Sequence, residues 1–566
     1  MERKVALELK NITKTFGKIL ANKNVNLKVY EKEVLSILGE NGSGKTTLMN
    51  VISGIYAPEE GEIRINGEVV YISSPQDAFK YKIGMIHQHF KLVEVFTALQ
   101  NIALILEKGQ KYDLKEIRAS VNSICEKYGF EIDLDKKVYN MSVSEKQTLE
   151  IVKVLFRGAD VLILDEPTAV LTPQETRKLF AVINNMREDG KSIIIITHKL
   201  NEVMEISDRV SILRKGEYVG TVNTSETSEK ELTEMMVGKK VDLKIERVKT
   251  EFDKPLLEIR DLSIKGDDGS DKIEDVSFYI RGGEILGVAG IAGCGQKELC
   301  EAIAGLRKIQ SGFIMHEGES LIGLPPKEII AKGVSMSFIP EDRLGMGLAP
   351  NFSITDNMML KTYAENKVYE VGEEELANYP KWKAFFIKLW AKIKSLLVRP
   401  FVDRKTARRK ANELINKLEI STPSSETPVR RLSGGNIQKV LVGREIESGP
   451  NVIVTAYPVR GLDVNSSYLI YDMLNEEKKK GTGILFIGED LDVMLALCDK
   501  IMVLCHGKNM GIVHASKTTK EELGLMMTGS RNLAEVKNKE YGKAKDSNLT
   551  EEEWQKQKEE AEKEGE

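Results

Sequence analysis

Short, unbroken apolar runs separated by polar and glycine-rich turns set the pattern of this chain. Val34-Leu35-Ser36-Ile37-Leu38, Val161-Leu162-Ile163-Leu164 and Ile193-Ile194-Ile195-Ile196 are each four or five residues long. Runs of that length without strict alternation predict strands buried on both faces, as in a parallel sheet. Residues 5–13 alternate apolar with polar instead, which predicts an edge strand. Residues 84–86 read as a short strand entering the polar turn His87-Gln88-His89, and Leu48-Met49-Asn50-Val51-Ile52 predicts the first turn and a half of a helix. The pattern then recurs. Residues 257–263 echo 7–13, and Gly290-Ile291-Ala292-Gly293-Cys294-Gly295 echoes the glycine-rich turn after the first run. Ser142 and Ser433, Asp165 and Ala456, and His198 and Glu489 all stand 291 residues apart. Gln88 and Glu341 stand 253 apart, so about 38 residues are inserted in the second copy. A fixed offset marks an internal repeat.

Strand, glycine-rich turn and helix together carry the first chemistry. The turn is Gly39-Glu40-Asn41-Gly42-Ser43-Gly44-Lys45-Thr46-Thr47. Glycines let backbone N–H groups converge on an anion, and the helix N-terminus adds its positive dipole end. Lys45 is expected to reach the β- and γ-phosphates of a nucleotide, with the Thr46 hydroxyl on Mg²⁺. The second run ends in Asp165-Glu166-Pro167, at the strand edge where open α/β sheets bind ligands. Asp165 suits the metal's outer shell, and Glu166 suits polarising a water for in-line attack. His198, after the third run, is expected to hydrogen-bond the γ-phosphate. Gln88 is expected on Mg²⁺ or the attacking water, and Phe16 against an adenine ring. These positions predict one crevice.

Length alone suggests about three or four domains for 566 residues. The net charge of −4 gives no global field favouring nucleic acid. No apolar stretch of about 18 residues is present, so no membrane span is expected. Residues 1–4 do not open a signal peptide. Cys125, Cys294, Cys300, Cys498 and Cys505 have no metal-ligand spacing to the histidines and read as core thiols of a reducing cytosol.

With these motifs the chain resembles the ATP-binding cassette (ABC) ATPases from residue 1 to about 530. The resemblance implies an α/β fold with two tandem P-loop nucleotide-binding domains, each a mixed sheet core with a helical subdomain. The expected division is 1–245, a linker at 246–255, 256–535 with an insert at about 364–402, and a charged tail at 536–566. In that family a Leu-Ser-Gly-Gly-Gln signature opens a helix. Leu432-Ser433-Gly434-Gly435-Asn436 nearly completes it, whereas Met141-Ser142-Val143-Ser144-Glu145 places Ser144 where the second glycine belongs. A Cβ and hydroxyl there hinder close approach to a phosphate. The second copy loses other groups. Gln296 and Lys297 replace Lys45 and Thr46, Ala456 and Tyr457 replace Asp165 and Glu166, and Glu489 replaces His198. The family pairs each phosphate loop with the other copy's signature. The resemblance therefore implies one competent site, Lys45 with Ser433, Gly434 and Gly435, and one dead site.

The Gly-Gln of the second loop, Pro340-Glu341-Asp342-Arg343, and Tyr457-Pro458-Val459-Arg460-Gly461-Leu462-Asp463 look like the ATPase subunit of carbohydrate importers. His89-Phe90-Lys91-Leu92-Val93 and Thr168-Ala169-Val170-Leu171-Thr172 look more like the nucleoside branch than the ribose or galactose branch. The resemblance implies ATP and Mg²⁺, two membrane-spanning permease subunits, an extracellular solute-binding lipoprotein, and a peripheral place on the cytoplasmic face of the cell membrane. Two other classes remain: a twin-cassette factor acting on ribosomes, against which the short mixed stretch 236–256 and the broken second centre speak, and a non-catalytic nucleotide-gated binder, against which Glu166 and His198 speak. In the insert, Trp382, Phe385, Phe386, Leu389, Trp390, Ile393, Leu396 and Leu397 share one helical face. From Lys381 to Val402 there are five lysines and Arg399 and no acid, which predicts an interfacial helix on anionic lipid through residues 381–399. In the tail, Thr550 and Glu553 are spaced for a capping box on a solvated helix.

Overall fold

The computed structural model sets the three unbroken apolar runs side by side. It describes the chain except residues 1–2, 18, 88–89, 107–112, 170, 239–244, 251–253, 292, 339–346, 361–379, 381–382, 384–403, 461 and 533–566, and of residues 335–338 it describes the backbone alone. Gln88, residues 340–343, the aromatic helix of the insert and the tail therefore lie outside the described residues. The chain divides into two compact units, Met1–Leu243 and Lys244–Glu566.

In the first unit the strands are β1 (Val5–Phe16), β2 (Ile19–Tyr30), β3 (Val34–Leu38), β4 (Glu60–Ile65), β5 (Glu68–Val70), β6 (Ile83–Ile86), β7 (Val161–Asp165), β8 (Ser192–Thr197), β9 (Arg209–Arg214) and β10 (Glu217–Asn223). They form one ten-stranded sheet in the order β5-β4-β1-β2-β10-β9-β3-β8-β7-β6. β3, β8, β7 and β6 pair in parallel, with Leu38 opposite Thr197 and Asp165 opposite Ile196. The C-terminal ends that carry the phosphate loop, His198 and Glu166 thus finish at one sheet edge. β1 is not an edge strand. It pairs antiparallel with β2 on one side and β4 on the other. Alternation records that one face is solvated, which an interior antiparallel strand also satisfies.

Side-chain alternation divides the core. Leu35, Ile37, Ile163, Ile194 and Ile196 join one apolar cluster, and Val34, Leu162, Leu164, Ile193 and Ile195 join another. Successive strand residues point to opposite faces, so the two clusters share a sheet and cannot separate into domains. That is why length overcounts the units. A third cluster joins the helices Ala98–Ala103, Leu114–Tyr128 and Val143–Phe156. The last of these gives Leu149 and Val152 to that cluster and Ile151, Val154 and Leu155 to the sheet, which fixes the helical layer on the sheet layer.

The second unit repeats the plan with β11 (Pro255–Lys265), β12 (Asp271–Arg281), β13 (Ile285–Ala289), β14 (Ser311–His316), β15 (Glu319–Ser320), β16 (Val334–Phe338), β17 (Val452–Ala456), β18 (Gly483–Ile487), β19 (Lys500–Cys505) and β20 (Lys508–His514). A six-stranded sheet, β16-β17-β18-β13-β19-β20, is parallel up to β19 and antiparallel at β20, beside a four-stranded antiparallel sheet β12-β11-β14-β15. Of the stretch expected as a linker, Glu246 and Arg247 are held against this unit. Asn475 Nδ2 donates to the Glu246 carbonyl at 2.9 Å, and Arg247 donates to the Leu495 carbonyl. All five cysteines are buried and free.

Candidate functional site

The phosphate loop of the first unit runs from β3 into the helix Lys45–Ile52. Gly44 has φ 94°, and a Cβ on it would lie 2.4 Å from the Ala21 carbonyl oxygen and 2.5 Å from Asn22 Nδ2. Only glycine fits that turn. Lys45 is 6% exposed, and its Nζ donates to the carbonyls of Gly39 at 2.6 Å and Glu40 at 3.0 Å. Burial pushes its pKa down, while the Glu166, Asp165 and Glu40 carboxylates push it back up. The buried Ser43 hydroxyl finds no hydrogen-bond partner among the described residues. A buried orphan hydroxyl near a lysine whose hydrogen bonds, among the described residues, go to loop carbonyls is what an incoming polyphosphate would satisfy. The loop therefore fits a nucleotide. Glu40, Asn41, Gly42, Thr46 and Thr47 complete it around these two side chains.

Asp165 closes β7. Its pKa is pushed up to about 6 by burial and by the Glu166 carboxylate, against Lys45 and a hydrogen bond with Thr46. Glu166 takes φ 47°, rare for a non-glycine residue, and its N–H donates to the Ile196 carbonyl at 2.9 Å. That turn presents its Oε1 3.0 Å from His198 Nδ1. The hydrogen bond to His198 is the main cause holding the Glu166 carboxyl below the usual carboxylate range. At this sheet edge the structure brings together Lys45, Thr46, Asp165, Glu166 and His198. Gln88, two residues past β6, lies outside the described residues.

Phe16 is not core. Its ring is 43% exposed, packed edge-on to Tyr56 with centroids 5.1 Å apart, with Lys14 Nζ 5.4 Å from its centroid. Sequence reading missed Tyr56, which no motif marks. Phe16→Ala is expected to raise the KM for ATP about tenfold, on the order of 1.4 kcal/mol of lost stacking, with kcat at saturation within about twofold. An unchanged KM in steady-state kinetics would place the adenine elsewhere.

The two signature helices differ at their starts. Ser142 caps the helix Val143–Phe156 in a capping box, its N–H donating to Glu145 Oε2 at 2.7 Å, with Lys136 Nζ 2.8 Å from the same carboxylate. Val143 as well as Ser144 stands where copy two has glycine. Ser433 caps the helix Gly434–Glu447, whose first turn holds no acid. One helix start is neutralised by its own carboxylate, and the other leaves its dipole end for an external anion.

The second unit keeps the frame of the site without its chemistry. Tyr457 takes φ 53° and donates its N–H to the Ile487 carbonyl at 2.8 Å, matching Glu166. Burial first, then Glu489, pushes its phenol up to about 12. Gln296 Nε2 donates to the Ile291 carbonyl at 3.2 Å in place of Lys45, and Lys297 Nζ lies 3.7 Å from Glu301. Glu489 pairs with Arg460 at 3.7 Å.

The ABC transporter family profile matches residues 22–169 and 273–455, one segment in each repeat. This chain belongs to the ABC transporter family. It is an ATP hydrolase of the twin-cassette kind, α/β in fold. The nucleoside import ATP-binding protein NupA of Lactococcus lactis is 38% identical over 531 residues, 94% of this chain and 99% of its own length. The guanosine import ATP-binding protein NupO of Bacillus subtilis is 40% identical over 540 residues, 95% and 99%. The ribose import ATP-binding protein RbsA of Bacillus subtilis is 34% identical, covering 93% of this chain and 100% of its own. An archaeal ribosome recycling factor, solved with a ribosomal stalk protein, shares the fold at 16% identity and a TM-score of 0.55, over 89% of this ABC chain and 90% of its own. Among the described residues of this ABC ATPase, no helix is long and apolar enough to cross a membrane.

Proposed function

We propose that this ABC ATPase powers uptake of a nucleoside through two membrane-spanning permease subunits served by an extracellular solute-binding lipoprotein, from a peripheral place on the cytoplasmic membrane face. The observation that carries this reading is the near full-length likeness to two nucleoside import chains, at 38% and 40%, against 33–36% for the ribose import chains. One centre does the chemistry. Lys45 and the loop amides bind the β- and γ-phosphates, and Phe16 takes the adenine face. Glu166 orients and deprotonates the attacking water while His198 holds its carboxylate. Thr46, Asp165 and Gln88 would hold Mg²⁺, which when bound supplies charge neutralisation at the phosphates. By the family's pairing of loop and signature, turnover of ATP held at Lys45 also depends on Ser433, Gly434 and Gly435, and the second loop stays catalytically silent. Anionic lipid contact through residues 381–399 belongs to the same reading. The described helix after them, Arg404–Lys417, carries six basic residues against one acid and so continues the same sign of charge.

In cells lacking this chain, uptake of radiolabelled guanosine should fall to background and return with the wild-type chain, with ribose uptake unaffected. Loss of ribose uptake with guanosine uptake intact would move the solute to the monosaccharides.

A further inference from the structure

The turns that carry Glu166 and His198 are joined by a buried polar network that no sequence motif marks. Thr168, two residues past Glu166, donates from Oγ1 to Glu202 Oε2 at 2.5 Å. Lys199, next to His198, pairs with Glu202 Oε1 at 3.1 Å and donates to the Thr168 carbonyl at 3.0 Å. Thr197 Oγ1 donates to Glu202 Oε2 at 3.5 Å and accepts the Lys199 N–H at 3.1 Å. Thr168, Thr197 and Glu202 are 2%, 3% and 7% exposed. A carboxylate so buried is costly unless well paired, and its partners here come from just these two turns. Lys199 sits at the N-cap of the helix Leu200–Ile206, where its ammonium, a donor only, cannot cap the helix amides, and its side chain crosses to Thr168 instead.

The second unit supplies an internal comparison. The positions 291 residues on from Thr168, Thr197, Lys199 and Glu202 are Val459, Gly488, Asp490 and Val493. Val459 and Val493 pack against the apolar core, and Asp490 caps its own helix. The surrounding frame is unchanged. Gln147 Nε2 donates to the Pro167 carbonyl at 2.6 Å, and Gln438 Nε2 donates to the Pro458 carbonyl. The strand-end bonds of Glu166 and Tyr457 also match. Folding this turn pair therefore does not require the charged network. It is present only beside the carboxylate and histidine, in the copy that retains them.

We infer that Glu202, held by Thr168 and Lys199, is a positioning residue for hydrolysis: it fixes the turn of Glu166 against the turn of His198. The inference rests on the reading that Glu166 and His198 perform the chemistry. A displacement of about 1 Å at a reacting group costs on the order of a hundredfold in rate. Losing the network should therefore lower kcat and leave nucleotide binding alone.

The test is the double variant Thr168→Val/Glu202→Val in the full-length chain, which copies a pair this protein already folds around. Steady-state ATPase kinetics should show kcat down about ten- to a hundredfold, with the ATP KM within about twofold and the melting profile unchanged. Thr168→Ser, which keeps the hydroxyl, should retain at least about half of kcat. Should the double variant fail to fold, Glu202→Gln, with the charge removed and the shape kept, is read the same way. A kcat within about twofold of wild type, or a KM rising in step with the kcat loss, overturns the positioning role. Glu166→Gln runs alongside. If it is inactive while the double variant is not, the positioning role alone fails. If it still turns over, the hydrolytic reading fails and takes this inference with it.

Discussion

Glu166→Gln should abolish steady-state ATP turnover while ATP binding persists. Only the group that takes the water's proton is lost, and such groups contribute about 10²- to 10⁴-fold, or about 3–5 kcal/mol of barrier. The amide keeps the size of the side chain, so the left-handed turn at φ 47° and its N–H bond to Ile196 remain. Lys45→Ala should weaken binding and turnover together, because Lys45 serves the phosphates in ground state and transition state alike. The counterpart positions give the contrast. Gln296→Ala and Glu489→Ala should keep more than about a tenth of wild-type activity, under about 1.4 kcal/mol of barrier. Single-turnover and steady-state assays with a nucleotide-binding measurement separate these outcomes. A Gln296→Ala chain as silent as Glu166→Gln would sink the one-centre reading.

Ser433→Arg should stop turnover of ATP held at Lys45, by about a hundredfold or more, whereas Ser142→Arg should cost less than about tenfold. The structure of each helix start gives the reason. Ser433 caps a first turn free of acids, so its amides and dipole end are available to a phosphate. Ser142 already donates its N–H to Glu145, and an incoming phosphate there meets a carboxylate. The arginine would place bulk against a phosphate in the first case and against an already satisfied cap in the second. Equal loss from both variants in the ATPase assay would remove the assignment of the second signature to the first loop.

How much of this was legible follows from the range over which each signal acts. The phosphate loop, the acid-ending strand and the fixed offset of the repeat are local patterns, because each chemistry needs its residue types within a few positions. Phe16 was legible as a candidate but ambiguous, since an aromatic residue at a strand end is core or surface according to what packs on it. The edge-on contact with Tyr56 settled its exposure. The signature of the first copy read as altered at Ser144. That Glu145 turns back to cap the same helix needed the side-chain geometry.

The sequence by itself determined the α/β class, the twin repeat and the sorting of intact groups into one copy. Strand burial, glycine turns and side-chain chemistry are written residue by residue. Tertiary structure alone decided the rest. Strand order placed β1 inside its sheet, because a backbone's hydrogen-bond partners are not encoded in its own alternation. It also set β3, β8 and β7 side by side, so that Lys45, His198 and Glu166 share one edge. The Thr168–Lys199–Glu202 network appears only there, since its members stand 31 and 34 residues apart and carry no motif. Burial turns an ordinary glutamate into a costly charge that must be paired, and burial is a property of the packed chain.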